Sequence, residues 1–186
     1  MSHPQKVRFL LAALILAAAL APISAAGTVA PAGLVLRQSD LPAGYLLNRD
    51  KSGARSTAVD AVDFPELRVK YPRWGRVGGY QSQFDRGNNS IASRADVFRG
   101  RAGARQMYAW FVEQVSRQGV SHLRSTGLPL GDSGVSYAGK VGGYTFTIAV
   151  WRYGRVFSVA AGGGIDKARL LGLARAQQRR VARALG

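Results

Sequence analysis

Residues Tyr144 to Ala161 read YTFTIAVWRYGRVFSVAA, and this stretch decides the fold class. Aromatic and β-branched residues crowd Tyr144 to Arg152, which favours a strand. Tyr153-Gly154 offers a two-residue turn in which glycine takes a positive φ, and Val156 to Ala161 returns as a second strand. Tyr144, Phe146, Ile148 and Val150 share one face of the first strand, and Ala149 and Trp151 share the other. A strand apolar on both faces is expected at the centre of a sheet, covered on both sides. Gly162 to Gly164 then ends the sheet.

Two amphipathic helices flank this hairpin in the sequence. Ala104, Met107, Tyr108, Phe111, Val112 and Val115 recur at steps of three and four, with Arg101, Arg105, Glu113 and Arg117 opposite and Gly119 as the stop. After the hairpin, Asp166 is the expected N-cap of a last helix. Its buried stripe reads Leu170, Leu173, Ala174, Val181 and Leu185, and Arg169, Arg175, Arg179, Arg180 and Arg183 fall outside it. Strands followed by helices predict an α+β fold, with an antiparallel sheet packed against two or three helices.

Two echoes suggest a repeat. Leu36 to Gly44 (LRQSDLPAG) returns as Leu123 to Gly131 (LRSTGLPLG), and Gly75 to Phe84 (GRVGGYQSQF) as Gly139 to Ile148 (GKVGGYTFTI). Each Gly-Gly-Tyr precedes a strand, a turn, a second strand and a helix, which reads as two β-β-α units in tandem. The unequal spacing of the echoes calls for an insertion in the first unit, and residues 48–73, with Pro65 and Pro72, are the expected irregular segment.

The first 26 residues read as a signal peptide. Lys6 and Arg8 form the positive region, and Phe9 to Ala21 is an apolar run. At 13 residues it falls short of the roughly 20 that span a bilayer. Pro22 then breaks the helix, and Ser24 and Ala26 present small residues for cleavage, leaving Gly27 as the expected first residue of an extracytoplasmic or secreted chain. Residues 27–186 are expected to form one α+β domain. A retained anchor is the alternative. The chain has no cysteine, which excludes disulfides and a lipid attached through cysteine.

Lys+Arg number 26 against 10 for Asp+Glu, and removing Lys6 and Arg8 still leaves an excess of 14. Such a charge favours anionic partners, here an anionic membrane or a cell-wall surface, with no nucleic acid expected. The basic face of the last helix, Arg175, Arg179, Arg180 and Arg183, is the candidate contact. Arginine outnumbers lysine and is scattered among abundant Ala and Gly, which a high-GC genome also produces without a ligand. The competing site is a pocket for a small apolar ligand between sheet and helix, with Trp74 and Trp151 as its candidates.

Catalytic motifs are thin. Gly131-Asp132-Ser133-Gly134 matches the nucleophile sequence of trypsin-like serine proteases, but Ser133 needs an imidazole and an orienting acid. His122, the single histidine after the leader, lacks the protease's Ala-His-Cys context. A hydrolase using Ser133 is therefore the weakest alternative. Asp60, Asp63 and Glu66 form the one carboxylate cluster, without the glycine and ligand count of a calcium loop. The G-x-x-G-G stretches at Gly75 and Gly139 read as turns entering strands, and no cofactor or metal is expected.

The leader, the SDLPAGY opening (Ser39 to Tyr45), the alanine-rich helix start (Ala102 to Ala104), the LGDSGV turn (Leu130 to Val135) and the VWRYGRVFSVAAGG hairpin resemble small exported actinobacterial proteins. These are similar to extracellular sensor-type domains of receptor kinases and their lipoprotein relatives, with an α/β sandwich like the PsbP-like fold. The resemblance implies ligand binding without catalysis and transfers no site residue. This chain departs from it in having no cysteine, hence no lipobox cysteine and no cysteine pairs, and neither a kinase nor a transmembrane anchor is expected in it.

Overall fold

The computed structural model describes residues 29–117, 121–141 and 144–186. The expected leader, Gly119 and the Gly142-Gly143 pair lie outside the described residues.

The hairpin of Tyr144 to Ala161 is present as β7 (Tyr144–Tyr153) and β8 (Val156–Gly163). Tyr153 pairs with Val156, so the turn is Gly154-Arg155, one residue later than the sequence suggests. Gly154 carries the positive φ, at 55°. The other strands are β1 (Leu46–Leu47), β2 (Gly53–Ala54), β3 (Arg76–Arg86), β4 (Asn89–Phe98), β5 (Ser121–Gly127) and β6 (Ser133–Val141). All eight belong to one antiparallel sheet ordered β1-β3-β4-β8-β7-β6-β5, with β2 also paired to β3.

Four α-helices accompany it among the described residues: α1 (Thr57–Asp63), α2 (Leu67–Trp74), α3 (Arg101–Arg117) and α4 (Lys167–Leu185). The two units expected from the echoes are β3-β4-α3 and β7-β8-α4, and they join at the centre, where β4 and β8 pair from Ser90↔Gly163 to Val97↔Val156. Their helices lie on opposite faces. On one, Ala104, Met107 and Trp110 of α3 pack against Phe146, Ile148 and Val150 of β7 and Phe157 and Val159 of β8. On the other, Leu170 and Leu173 of α4 meet Ile91 and Phe84, Ala174 meets Ala149, Trp151 and Ala160, and Val181 meets Ala95, Val97 and Val156. The strand that reads as apolar on both faces is thus covered on both, because consecutive side chains of β7 feed two separate cores.

Residues 48–73 are not irregular. They hold β2, α1 and nearly all of α2, started by Ser56, whose hydroxyl accepts from the Val59 amide, and ended by Gly75 in the left-handed region at φ 67°. Gly75 therefore caps a helix, whereas Gly78 and Gly79 lie inside β3 and are not turn residues.

Candidate functional site

Asp60 faces inward from α1 and is 2% exposed. Three guanidinium groups converge on it: Arg55 from the preceding loop at 2.7 Å, Arg94 from β4, and Arg76 from the start of β3 at 3.4 Å. Tyr71 of α2 donates its hydroxyl to the same carboxylate at 2.8 Å and accepts from Arg94 at 2.9 Å. A second buried acid, Asp96, takes Arg94 Nε at 2.7 Å and Arg76 Nε at 2.8 Å. The Arg76 guanidinium also lies over the Tyr71 ring, 4.2 Å from its centroid.

The second Gly-Gly-Tyr glycine explains how these charges fit. A Cβ on Gly79 would collide with both the Arg76 guanidinium and the Asp96 carboxylate, so this strand position must lack a side chain for the pair to close. Burial pushes the Asp60 carboxyl up, but Arg94, Arg76 and Arg55 outweigh it and hold Asp60 well below the usual carboxylate range. Burial pushes the Tyr71 hydroxyl well above its ordinary value, so it stays a donor. Burial alone would lower Arg94, yet Asp60 and Asp96 raise it further, and it stays charged. The cluster fastens α1 and α2 to the sheet. Its groups are closed off from solvent and are spent on one another.

A polar bridge crosses the opposite face. Gln177 of α4 accepts from the Ser93 hydroxyl at 2.8 Å and donates to the Arg94 carbonyl at 3.0 Å, while Ser93 Oγ accepts from the Leu36 amide at 2.9 Å. The N-terminal segment, the central strand and the last helix are joined by these three bonds.

The serine motif does not form a catalytic site. Ser133 opens β6 opposite Arg152, and its hydroxyl donates to the Asp132 carbonyl at 2.8 Å. Asp132 itself accepts from Arg152 at 2.8 Å and from the Gly154 amide at 3.0 Å. His122 follows Ser121 on β5, and Ser121 pairs with Lys140 near the other end of β6. About 20 Å of strand separates the two backbone positions. Of the carboxylate cluster, Asp60 is taken by arginines and Glu66 is exposed, and among the described residues no group of His, Cys, Asp or Glu is placed to hold a metal ion.

Trp74 and Trp151 are not brought together. Trp151 is 0% exposed and packs with Leu128, Leu130 and Ala174 on the α4 face. Trp74 is half-buried on the α3 face, 6.3 Å from Trp110 and 6.3 Å from Tyr71, with the Lys70 ammonium 5.7 Å from its ring centroid. The sheet lies between them.

The basic face of α4 divides. Arg175, Arg179 and Arg183 are exposed, one helical turn apart. Arg180 is half-buried and turned toward the N-terminal segment, where it binds Asp40 at 2.8 Å and the Val35 carbonyl at 2.8 Å. It belongs to the architecture and not to the free face. Between Lys167 and Leu185 the helix has six basic residues and no acidic one.

Sequence reading missed Arg55, Tyr71, Arg76, Arg94, Asp96 and Gln177. For Arg94 and Asp96 a signal existed: opposite charges two apart on one strand face, directly before Phe98. Gln177 falls on the apolar stripe between Ala174 and Val181, where an amide needs a buried partner.

No family model matches the chain, and no curated protein matches it. Among solved structures it resembles the extracellular domain of PknH from Mycobacterium tuberculosis at 13% identity and a TM-score of 0.49, covering 84% of this chain and 97% of that one. A likeness at this identity and TM-score carries no argument about family or activity. No helix among the described residues is long and apolar enough to cross a membrane.

Proposed function

We propose that this chain is an exported, non-catalytic binding module that meets anionic partners through the outer face of α4. The observation that carries the reading is the composition of that helix: Arg175, Arg179 and Arg183 stand exposed in one column without an acidic residue between Lys167 and Leu185. Like charges one turn apart weaken a helix by about 0.2–0.5 kcal/mol per pair, so the column carries a local cost that an anionic partner would relieve. The ion pairs elsewhere in the chain do not create this asymmetry: Asp60 and Asp96 are buried with Arg55, Arg76 and Arg94, and Asp40 and Asp132 are held by Arg180 and Arg152, so the excess on α4 comes from its own residues.

Two features speak for binding without catalysis. The polar cluster at Asp60 is sealed, and Ser133 has neither a base nor a free acid beside its hydroxyl in the described geometry. Trp74 and Trp151, the candidates of the pocket reading, occupy opposite faces and do not line one pocket together.

The test is binding to vesicles and to soluble polyanions at 50 and 500 mM salt. Affinity for at least one of them should fall steeply with salt, and Arg175→Gln, Arg179→Gln and Arg183→Gln together should remove most of it. Binding indifferent to salt, or no binding to any anionic probe, would overturn the reading. Export is tested separately, by the mass of the chain recovered outside the cell, expected to begin at Gly27 or one residue earlier.

A further inference from the structure

We infer that the Arg175, Arg179 and Arg183 column takes a linear polyanion carrying one phosphodiester per repeat, laid along α4, in preference to the flat surface of an anionic bilayer. The inference rests on the reading of the α4 face as an anion-binding surface and names what that surface takes.

The shape of the charge decides between line and plane. Steps of four residues on an α-helix advance about 6 Å, so the three guanidinium groups are rooted along roughly 12 Å of a nearly straight row. The row is bounded on its flanks. Arg180, which would widen it, is neutralised by Asp40, and Arg169 near the N-terminal end lies 4.0 Å from Asp166. No acidic side chain lies within ion-pair distance of Arg175, Arg179 or Arg183 among the described residues. On α4 itself, the unneutralised charge of these three arginines therefore forms a line. Its neighbours Ala168 and Gly172 are exposed and small, and a Cβ added at Gly172 would meet nothing within 4 Å. A chain can approach the helix closely there.

The same surface is poor for a bilayer. Stable attachment of a helix to lipid draws on apolar side chains entering the acyl boundary. The apolar side chains of α4 are turned into the sheet, and the large exposed apolar residues, Leu46, Leu47, Val62, Val69, Val77 and Tyr144, all lie on other elements. The planar fork of an arginine matches the paired oxygens of a phosphodiester.

The experiment is fluorescence anisotropy of a labelled poly(glycerol phosphate) of defined length, run beside vesicles containing phosphatidylglycerol and a carboxylate polymer of equal charge density. Three phosphate contacts on a flexible strand predict a loss of about 100-fold in affinity between 50 and 500 mM salt. Arg175→Gln, Arg179→Gln and Arg183→Gln together should abolish that binding. The same charge change made elsewhere, as Arg49→Gln, Arg73→Gln and Arg124→Gln, three exposed positions off α4, should leave most of it, and circular dichroism confirms that both variants are folded. Equal losses in the two variants would overturn the row as the site. Binding to vesicles or to the carboxylate polymer as tight as to the phosphodiester polymer would overturn the inference while leaving the anion-binding reading intact. Absence of binding to all three probes would overturn both.

Discussion

Arg180 and Asp40 close the fold from its two ends: the guanidinium grips the carboxylate with two hydrogen bonds, at 2.8 and 3.0 Å, across 140 positions of sequence. Such a fork-to-fork pair is stronger than a single contact between point charges. Burial pushes Asp40 up, but the bonds from Arg180 and from the Arg37 amide outweigh it and lower the carboxyl. Arg180→Gln should cost about 1–2 kcal/mol in a urea titration, and Arg179→Gln on the exposed side less than about 0.5 kcal/mol. Equal effects would mean that Arg180 is not engaged as described.

Asp60→Asn should be the most damaging polar change, at about 3–5 kcal/mol, because it leaves Arg55, Arg76 and Arg94 buried around a neutral amide. Glu113→Gln, which breaks an exposed pair with Arg117, should cost less than about 0.5 kcal/mol.

The same aspartate sets the response to acid. Its carboxyl is depressed in the folded chain, so the stability it contributes is fully present above about pH 4 and is lost only as pH falls through the lower folded value. The wild-type chain should stay folded under moderately acidic conditions. A melting temperature dropping steeply between pH 6 and pH 5 would contradict this.

On α3, Trp110 matters more than Phe111. Trp110 is 7% exposed and contacts Phe64 edge-on at 5.2 Å, whereas Phe111 is half-buried and meets Phe157 at 5.4 Å. Trp110→Ala should cost about 3–5 kcal/mol and Phe111→Ala about 2 kcal/mol, measured by denaturant titration.

Two glycine substitutions should have opposite signs. Gly172→Ala lies on an exposed helix face with open space around it and should stabilise by about 0.5–1 kcal/mol. Gly79→Ala forces a methyl group into the Arg76 and Asp96 pair and should destabilise by about 1–3 kcal/mol. Thermal melts of the two variants separate them.

The sheet and its helices were legible where one periodicity ran uninterrupted. The strand from Tyr144 declared both its buried faces, Asp166 declared the start of α4, and its side chain does accept from the Arg169 amide at 2.7 Å. Residues 48–73 were misread because Pro65 and Pro72 look like breakers, yet Pro65 precedes α2 and Pro72 sits in its last turn. Phe111 meets Phe157 of the sheet as its spacing predicts, but Trp110, which the expected stripe leaves out, is the more deeply buried of the two. The Asp60 cluster was illegible for a deeper reason. Its members come from four elements and the loop before α1, and although Arg94 and Asp96 stand two apart on one strand, no local pattern brings Asp60, 34 positions from Arg94, to them. The α4 face was half legible: the helical period placed five arginines outside the apolar stripe, but only the arrival of Asp40 removes Arg180 from the free face.

The central pairing of β4 with β8 also sets a timetable. β4 is complete at Phe98, but its second neighbour does not exist until the chain has been made as far as Gly163. Until then the first hairpin has a bare edge along its length, and the face that α4 will cover has Leu34, Val35 and Leu36 but not α4 to set against Ile91, Ala95 and Val97. Pairings this distant in sequence close slowly. A chain emerging end-first from a ribosome or a translocation pore would hold its N-terminal half open and sticky until the last third arrived, and would then fold both halves in one event.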